Sequence, residues 1–152
     1  MVADVENYPE FIELISALRI TKKLSETEFE AEAVIAYKMI SETFRSHIVT
    51  DRDALKIKVQ KAEKGGAVKS LVNSWAFYPL KDGSTLVDVL IDVRLKAMPL
   101  EFLLREKFAK ASAEIINSFE DRAKADLPSV GEDAYDYQPE LIALGLDTEN
   151  II

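Results

Sequence analysis

The sequence predicts an α+β fold in which an antiparallel sheet wraps around one long C-terminal helix. Two observations predict it: apolar residues alternate with a period of two between residues 15 and 95, and they recur every three or four residues from Pro99 onward. The chain has 152 residues, 48% of them hydrophobic, so it can form one domain with a substantial core. A sheet and a helix that each carry one apolar face bury both faces by packing together.

The segment 28–39 carries the sheet pattern most clearly. Every odd position from Phe29 to Met39 is apolar, whereas positions 28, 30 and 32 are glutamate, so one face of this strand is apolar. Similar patterns predict six strands, at 15–23, 28–39, 42–51, 54–62, 68–79 and 84–95. The connections are short, and the Asp82-Gly83 pair is typical of a tight hairpin. Consecutive strands joined in this way form an antiparallel meander.

Helical patterns flank the predicted strands. The first residues are typical of the end of a helix, and Pro9 suits the start of a short helical turn. The second helix runs for roughly 26 residues from Pro99 and ends before Pro128. Its apolar stripe consists of Leu100, Leu103, Leu104, Phe108, Ala111, Ile115, Phe119 and Ala123. We expect this stripe to lie across the apolar face of the sheet.

The distribution of charge divides the chain into a domain, residues 1–127, and a tail, residues 128–152. The tail holds six of the 27 acidic residues and none of the 19 basic residues, so it carries most of the net charge of −8. Apart from one candidate helical turn at 139–144, it has no sustained periodicity. We therefore expect an acidic and mostly disordered tail.

The composition disfavours most hydrolytic and metal chemistry. There is no cysteine, and His47 is the single histidine. Thiolate zinc sites and cysteine nucleophiles are excluded, and a serine–histidine relay would depend on one residue without an identifiable partner. We predict no metal site and no catalytic residue. The start of the chain lacks the basic flank and apolar run of a signal peptide, so we expect a cytoplasmic protein.

Aromatic residues are frequent on the faces predicted to point inward. They could line a pocket for a flat, apolar ligand, because they supply apolar area at low entropic cost. They would serve equally as ordinary core residues, which is the commoner role of an apolar stripe. The pattern alone leaves both interpretations open.

Three strings of sequence carry a family resemblance. They are DVENYPEF at 4–11, YKMI followed by ETFRS at 37–46, and LVNSWAF at 71–77, with Gly66 ahead of the last. Together they resemble the coenzyme Q-binding family of START-like domains in the polyketide cyclase/dehydrase superfamily. Bacterial members of that family are also described as ribosome-association toxins of the RatA type. The resemblance extends from residue 1 to about residue 125.

The resemblance implies a helix-grip fold, START/Bet v 1-like, with a hydrophobic tunnel between the sheet and the long helix. It implies a protein that is not an enzyme and that binds ubiquinone (coenzyme Q) as a ligand, without a further cofactor. Such a protein would support respiration and quinone biosynthesis from the cytoplasmic face of the inner membrane, in peripheral contact with it. Members begin with an extra strand and most of a first helix that this sequence lacks, and we expect a misassigned start rather than a fragment.

The predicted binding cavity combines apolar residues with few polar groups. Its residues are Tyr8, Phe11, Tyr37, Met39, Phe44, Leu71, Asn73, Trp75, Ile91, Leu104, Phe108 and Ile115. Asn73 offers an amide to a quinone carbonyl, or else it is a satisfied buried amide beside a Trp75 core anchor.

Two other functions stay open. A basic patch formed by Lys56, Lys58, Lys61, Lys64 and Lys69 would attract an anionic membrane or ribosomal RNA. It favours the alternative of a toxin that binds the large ribosomal subunit and blocks subunit joining, although such runs are usually solvated surface. A polyketide-type cyclase or dehydratase ranks third, because it needs a proton-transfer group that the spacing does not indicate. No DNA binding is expected.

Overall fold

The protein forms a six-stranded sheet with one long helix, as the sequence predicts. The computed structural model describes residues 1–37, 40–63, 66, 68–95 and 98–146, with their side chains except at 37, 40, 95 and 98–111. The strands are β1 (Ile15–Lys23), β2 (Glu28–Tyr37), β3 (Ile40–Asp51), β4 (Lys56–Lys61), β5 (Val68–Pro79) and β6 (Thr85–Leu95). A 3₁₀ helix (Val5–Glu10) precedes them, and α1 (Met98–Asp126) and α2 (Gln138–Leu144) follow. The predicted fold class is confirmed.

The sheet is a meander in which each strand pairs antiparallel with the next, in the order β1-β2-β3-β4-β5-β6. The predicted hairpin between β5 and β6 turns at Gly83, whose φ of 88° is accessible to glycine at little cost. The backbone amide of Leu80 donates to the Ser84 carbonyl at 2.8 Å and closes this turn.

One face of the sheet, which we call the inner face, packs against the 3₁₀ helix and α1. On β4 its residues are Ile57, Val59 and Lys61, which are half-buried, whereas the intervening residues are exposed. On the neighbouring strands it includes Ile48 and Trp75, which are 2% and 5% exposed. This alternation is the direct result of the two-residue repeat of a strand.

Two apolar clusters hold the inner face. The first contains Val5, Ala31 and Ile48, so it joins the 3₁₀ helix to β2 and β3. The second contains Trp75 and Phe119, so it joins β5 to α1. Tyr8 packs against both clusters. The 3₁₀ helix therefore covers one end of the inner face and shares this end with the second half of α1.

The outer face carries charged pairs. Glu32 accepts hydrogen bonds from Arg19 at 2.6 Å and from Arg45 at 3.3 Å. These two hydrogen bonds, of which the one from Arg19 has the larger effect, hold the pKa of the Glu32 carboxyl below its ordinary value. On the same sheet His47 Nε2 lies 2.7 Å from Glu28 Oε1.

The described part of the tail, residues 128–146, includes a short helix, and the predicted disorder of the tail stays a prediction. The candidate turn at 139–144 is present as α2, which is followed by Gly145 in the left-handed conformation. Leu141 is fully buried. The Glu140 carboxylate accepts a hydrogen bond from the Lys81 backbone amide at 3.3 Å and another from the Tyr135 hydroxyl. Hydrogen bonds anchor this segment to the β5–β6 turn, and neither these bonds nor one buried leucine produces a sequence period.

Asp82 connects the turn to the tail. Its carboxylate accepts hydrogen bonds from the Ser84 hydroxyl at 2.6 Å and from the Glu132 backbone amide at 3.1 Å. Gly131 has a φ of 90°, and a Cβ there would lie 2.6 Å from Asp82 Oδ2. The close approach of the tail to Asp82 therefore requires glycine at this position.

We predict that Asp82→Ala releases the tail. The Ser84 hydroxyl, the strongest influence, and the backbone amides of Ser84 and Glu132 lower the pKa of the Asp82 carboxyl. A carboxyl whose pKa is lower in the folded state stabilises that state above its unfolded pKa and ceases to do so as the pH falls through the lowered value. Backbone amides 131–141 should exchange faster with deuterium in Asp82→Ala than in wild type at neutral pH, and the difference should vanish in acid.

The exposed Asp88→Ala, on β6, is the control for this experiment. It removes the same charge but no hydrogen bond to the tail, so its exchange should match wild type. Equal protection of 131–141 in Asp82→Ala and Asp88→Ala would show that Asp82 does not hold the tail.

Candidate ligand-binding site

The inner face is closed at one end by four aromatic rings. Phe119 of α1 lies at their centre, with its ring centroid 4.8 Å from Trp75, 5.1 Å from Tyr8 and 5.2 Å from Phe11. All three contacts are edge-to-face, the geometry that aromatic rings favour. Phe119 and Trp75 are each 5% exposed. This end of the inner face is packed core.

Four residues of the predicted cavity therefore meet in one cluster. Tyr8, Phe11 and Ile115 are partly buried and pack against the core residues Trp75 and Phe119. The Tyr8 hydroxyl donates to the Val2 carbonyl at 2.5 Å. Burial, and to a smaller extent Asp4, raises the pKa of the Tyr8 phenol above its ordinary value. Tyr8 is thus a neutral, hydrogen-bonded core residue.

The next row of side chains along the strands is less covered. The strand register places Phe29, Ile48, Val59, Asn73 and Ile91 side by side, one from each of β2 to β6. Ile48 is buried, but Val59, Asn73 and Ile91 are only half-buried. Leu71, two residues before Asn73 on the same face, is also half-buried. These four half-buried residues, Val59, Leu71, Asn73 and Ile91, form what we call the Asn73 site.

Asn73 is the polar residue of this site. Its Oδ1 atom is buried and has no hydrogen-bond partner in the described part of the chain. The residues opposite it, Val59 and Ile91, have no polar side-chain atom. Because a buried acceptor without a partner costs free energy, this oxygen is a natural contact for a ligand.

Lys61 is a cation on the inner face. It lies one step beyond Val59 on β4, opposite the buried Ser46 of β3. Its Nζ donates to the Val68 carbonyl at 2.5 Å. A lysine can lie there because its apolar stem covers the sheet while its ammonium reaches the rim.

The predicted basic patch is consequently divided between the two faces of the sheet. Lys56 and Lys58 are exposed on the outer face of β4, whereas Lys61 is half-buried on the inner face. Lys69 is exposed at the irregular start of β5. Lys64 lies outside the described residues.

Of the remaining predicted cavity residues, one has a described side chain and four do not. Phe44 is half-buried opposite the buried Ala33, on the inner face of β3. The side chains of Tyr37, Leu104 and Phe108 lie outside the described part, and so does Met39. The site as described thus consists of the sheet half of any cavity under α1.

A separate small cavity lies outside the sheet, between the N-terminus and the end of α1. Its volume is about 200 Å³, and Asn7, Phe11 and Arg122 are among its lining residues. Pockets for drug-sized ligands usually occupy about 300–1,000 Å³. Arg122 already pairs with Asp126 and with Glu10 and lies 5.6 Å from the centre of the Phe11 ring. This cavity is too small to hold a prenylated ring.

Two features of the site were not predicted from the sequence. Phe119 belongs to the predicted helix stripe but not to the predicted cavity, although it is the residue that joins the helix to Trp75. Lys61 belongs to the predicted basic patch, but it lies on the inner face. The sequence pattern indicates this position, because Lys61 is two residues after Val59 and four after Ile57 and so shares their face of the strand.

Comparisons with known proteins agree with this architecture. Residues 1–120 match the family model described as polyketide cyclase/dehydrase and lipid transport. The Zhui aromatase/cyclase from Streptomyces sp. R1128 is similar with a TM-score of 0.71 and 15% identity, over 84% of this chain and 85% of that one. A START superfamily protein from Mycobacterium smegmatis has a TM-score of 0.66 and 17% identity, over 82% and 85%.

A third solved structure has a higher sequence identity. An 18 kDa protein from Caulobacter crescentus is 29% identical, with a TM-score of 0.65, over 82% of this chain and 84% of that one. No curated protein matches the chain significantly.

Proposed function

The chain belongs to the polyketide cyclase/dehydrase and lipid transport family, and we propose that it binds an isoprenoid quinone of the coenzyme Q type between its sheet and α1. The observation that carries this proposal is the Asn73 site, an apolar surface that is only half covered and that contains one unpartnered buried oxygen. A carrier of a prenylated ring needs an apolar surface that the ligand can cover and a polar group that orients the ring.

The apolar part of the site supplies the affinity. Burial of apolar area is worth about 25 cal/mol per Å² before the cost of ordering the ligand is subtracted. Val59, Leu71 and Ile91 present branched aliphatic side chains to this space and keep part of their surface exposed. A flat ring and an isoprenoid tail would cover that surface.

Asn73 supplies the orientation. In an apolar pocket a single polar side chain fixes one edge of a ring, because the pocket offers that edge no other hydrogen bond. The ring of such a ligand carries oxygen atoms at opposite edges, as carbonyls when oxidised and as hydroxyls when reduced, so one of them can face Asn73 while the other points toward the rim near Lys61.

We further propose that the protein is a carrier or chaperone and not an enzyme. A cyclase or dehydratase needs a group that transfers a proton near neutral pH. The amide of Asn73 and the hydroxyl of Ser46 are unsuited to this task, and Lys61 already donates to the Val68 carbonyl. The polar groups around the Asn73 site therefore favour binding over proton transfer. The half-buried carboxyl of Glu42 lies on the same face, but it is opposite Ile35, near the other end of β3 from that site.

The proposed ligand implies a membrane contact, since prenylated quinones reside in the bilayer. The described helices include none that is long and apolar enough to cross one. We propose peripheral contact with the cytoplasmic face of the inner membrane, where the protein would collect and deliver its ligand for respiration and quinone biosynthesis.

The proposed function predicts that quinone accompanies the protein. The protein should be purified without detergent from quinone-producing cells and from a quinone-deficient strain, then extracted with solvent and analysed by mass spectrometry. We expect coenzyme Q only in the first extract, in amounts comparable to the protein. An extract free of quinone would contradict the proposal, and a bound polyketide would favour the cyclase.

The ribosome-binding alternative stays a prediction. Among the described lysines of its proposed patch, Lys56 and Lys58 lie side by side on the exposed outer face. Co-sedimentation with large ribosomal subunits at low salt, lost after charge reversal of these two lysines, would support it.

A further inference from the structure

We propose that the Asn73 site selects the reduced ring, a hydroquinone or other phenol, over the oxidised quinone. This inference rests on the proposed function and specifies the chemical form of the ligand. It is carried by the one buried side-chain acceptor that the described residues leave without a donor, Asn73 Oδ1.

The described surroundings of Asn73 explain why none of these residues satisfies this oxygen. The residues directly opposite, Val59 and Ile91, are aliphatic. The preceding residue on its face is Leu71, and the following one is Trp75, whose ring packs against Phe119. No neighbour in this row of the sheet offers a side-chain donor.

Lys61 is the nearest cationic group by register, and its position is diagonal to Asn73. Diagonal neighbours on one face of a sheet are separated by about 7–8 Å at the backbone. The Lys61 Nζ is directed to the Val68 carbonyl, at the start of β5. This hydrogen bond turns the ammonium toward the end of the strands and not toward Asn73.

The orientation of the amide decides what the site offers a ligand. An asparagine amide carries two N–H donors at one end and an oxygen with two lone pairs at the other. In the structure the oxygen is the end that is buried without a partner among the described residues. The free site therefore presents an acceptor.

An inward acceptor distinguishes the two redox forms of the ring. A hydroquinone presents phenolic O–H groups, and one of them can donate to Asn73 Oδ1. A quinone presents only carbonyl oxygens at the same positions, so two acceptors would face each other. A hydroxyl also replaces any water bound to Oδ1 without loss of a hydrogen bond, whereas a carbonyl does not.

The test compares three ligands by anaerobic isothermal titration calorimetry. They are coenzyme Q with a single isoprene unit in its oxidised form, the same compound in its reduced form, and the dimethyl ether of the reduced form. The ether keeps the reduced ring but has no O–H. We expect the reduced form to bind about tenfold more tightly than either of the others.

The variant Asn73→Leu removes the acceptor at similar volume. We expect it to bind the three ligands with equal affinity and to unfold at a higher urea concentration than wild type, because it no longer buries an unpartnered oxygen. Ser74→Ala, one residue along β5 and on the outer face, is the matched control and should keep the wild-type preference.

The outcomes separate this inference from the proposed function. Equal binding of all three ligands by wild type would overturn the inference and leave quinone binding intact. A preference that survives in Asn73→Leu would also overturn it, because the selection would then come from another group. If none of the ligands binds, the proposed function fails, and the inference fails with it.

Discussion

Replacement of Phe119 by alanine is expected to lower the free energy of unfolding by about 3–5 kcal/mol, the range for a buried phenylalanine. Phe119 is 5% exposed and contacts the rings of Tyr8, Phe11 and Trp75. Its removal leaves a cavity where the 3₁₀ helix, β5 and α1 meet, and it also removes three edge-to-face contacts. Urea unfolding, followed by circular dichroism and by the fluorescence of the single tryptophan, measures the loss.

Two further variants calibrate the effect of Phe119→Ala. Phe119→Leu restores most of the buried volume and should recover more than half of the lost stability. Leu127→Ala, just after the end of α1, changes a side chain that is 56% exposed and should alter stability by less than about 0.5 kcal/mol. A Phe119→Ala variant as stable as Leu127→Ala would show that the four rings do not hold α1 on the sheet.

The sheet could be predicted from the sequence because its signals are local. The alternation in 28–39 and the Asp82-Gly83 turn each involve neighbouring residues, and the strands lie close to their predicted limits. The meander follows from the short connections. The same alternation places Lys61 on the inner face, although its charge is typical of an exposed residue.

The packing of the site could not be predicted in this way. Whether Trp75 lines a cavity or joins the core depends on Tyr8 and Phe119, which are far from it in sequence. The hydrogen bond of Glu140 to the β5–β6 turn is likewise a long-range match without a period. The strand register pairs Asn73 with Val59 and Ile91, which offer its amide no hydrogen bond. Residue patterns constrain each element, but these features arise between elements.

Ile91→Trp is expected to weaken the binding of the reduced single-isoprene coenzyme Q by about 100-fold, because overfilling a packed apolar site costs up to about 3 kcal/mol. Ile91 lies directly opposite Asn73 on the inner face and is half-buried. An indole at this position would occupy the space that we assign to the ring of the ligand. Isothermal titration calorimetry of the purified variant measures the change.

The adjacent residue provides a matched control. Leu90→Trp introduces the same side chain one position earlier on β6. Leu90 lies on the outer face of the sheet and is 58% exposed. Its affinity should equal that of wild type. Val59→Phe, on the other side of Asn73, should weaken binding in the same direction as Ile91→Trp. Successive side chains of a strand point to opposite faces. Only a ligand on the inner face therefore loses affinity when position 91 is substituted and keeps it when position 90 is substituted. Equal affinities in Ile91→Trp and Leu90→Trp would place the ligand elsewhere.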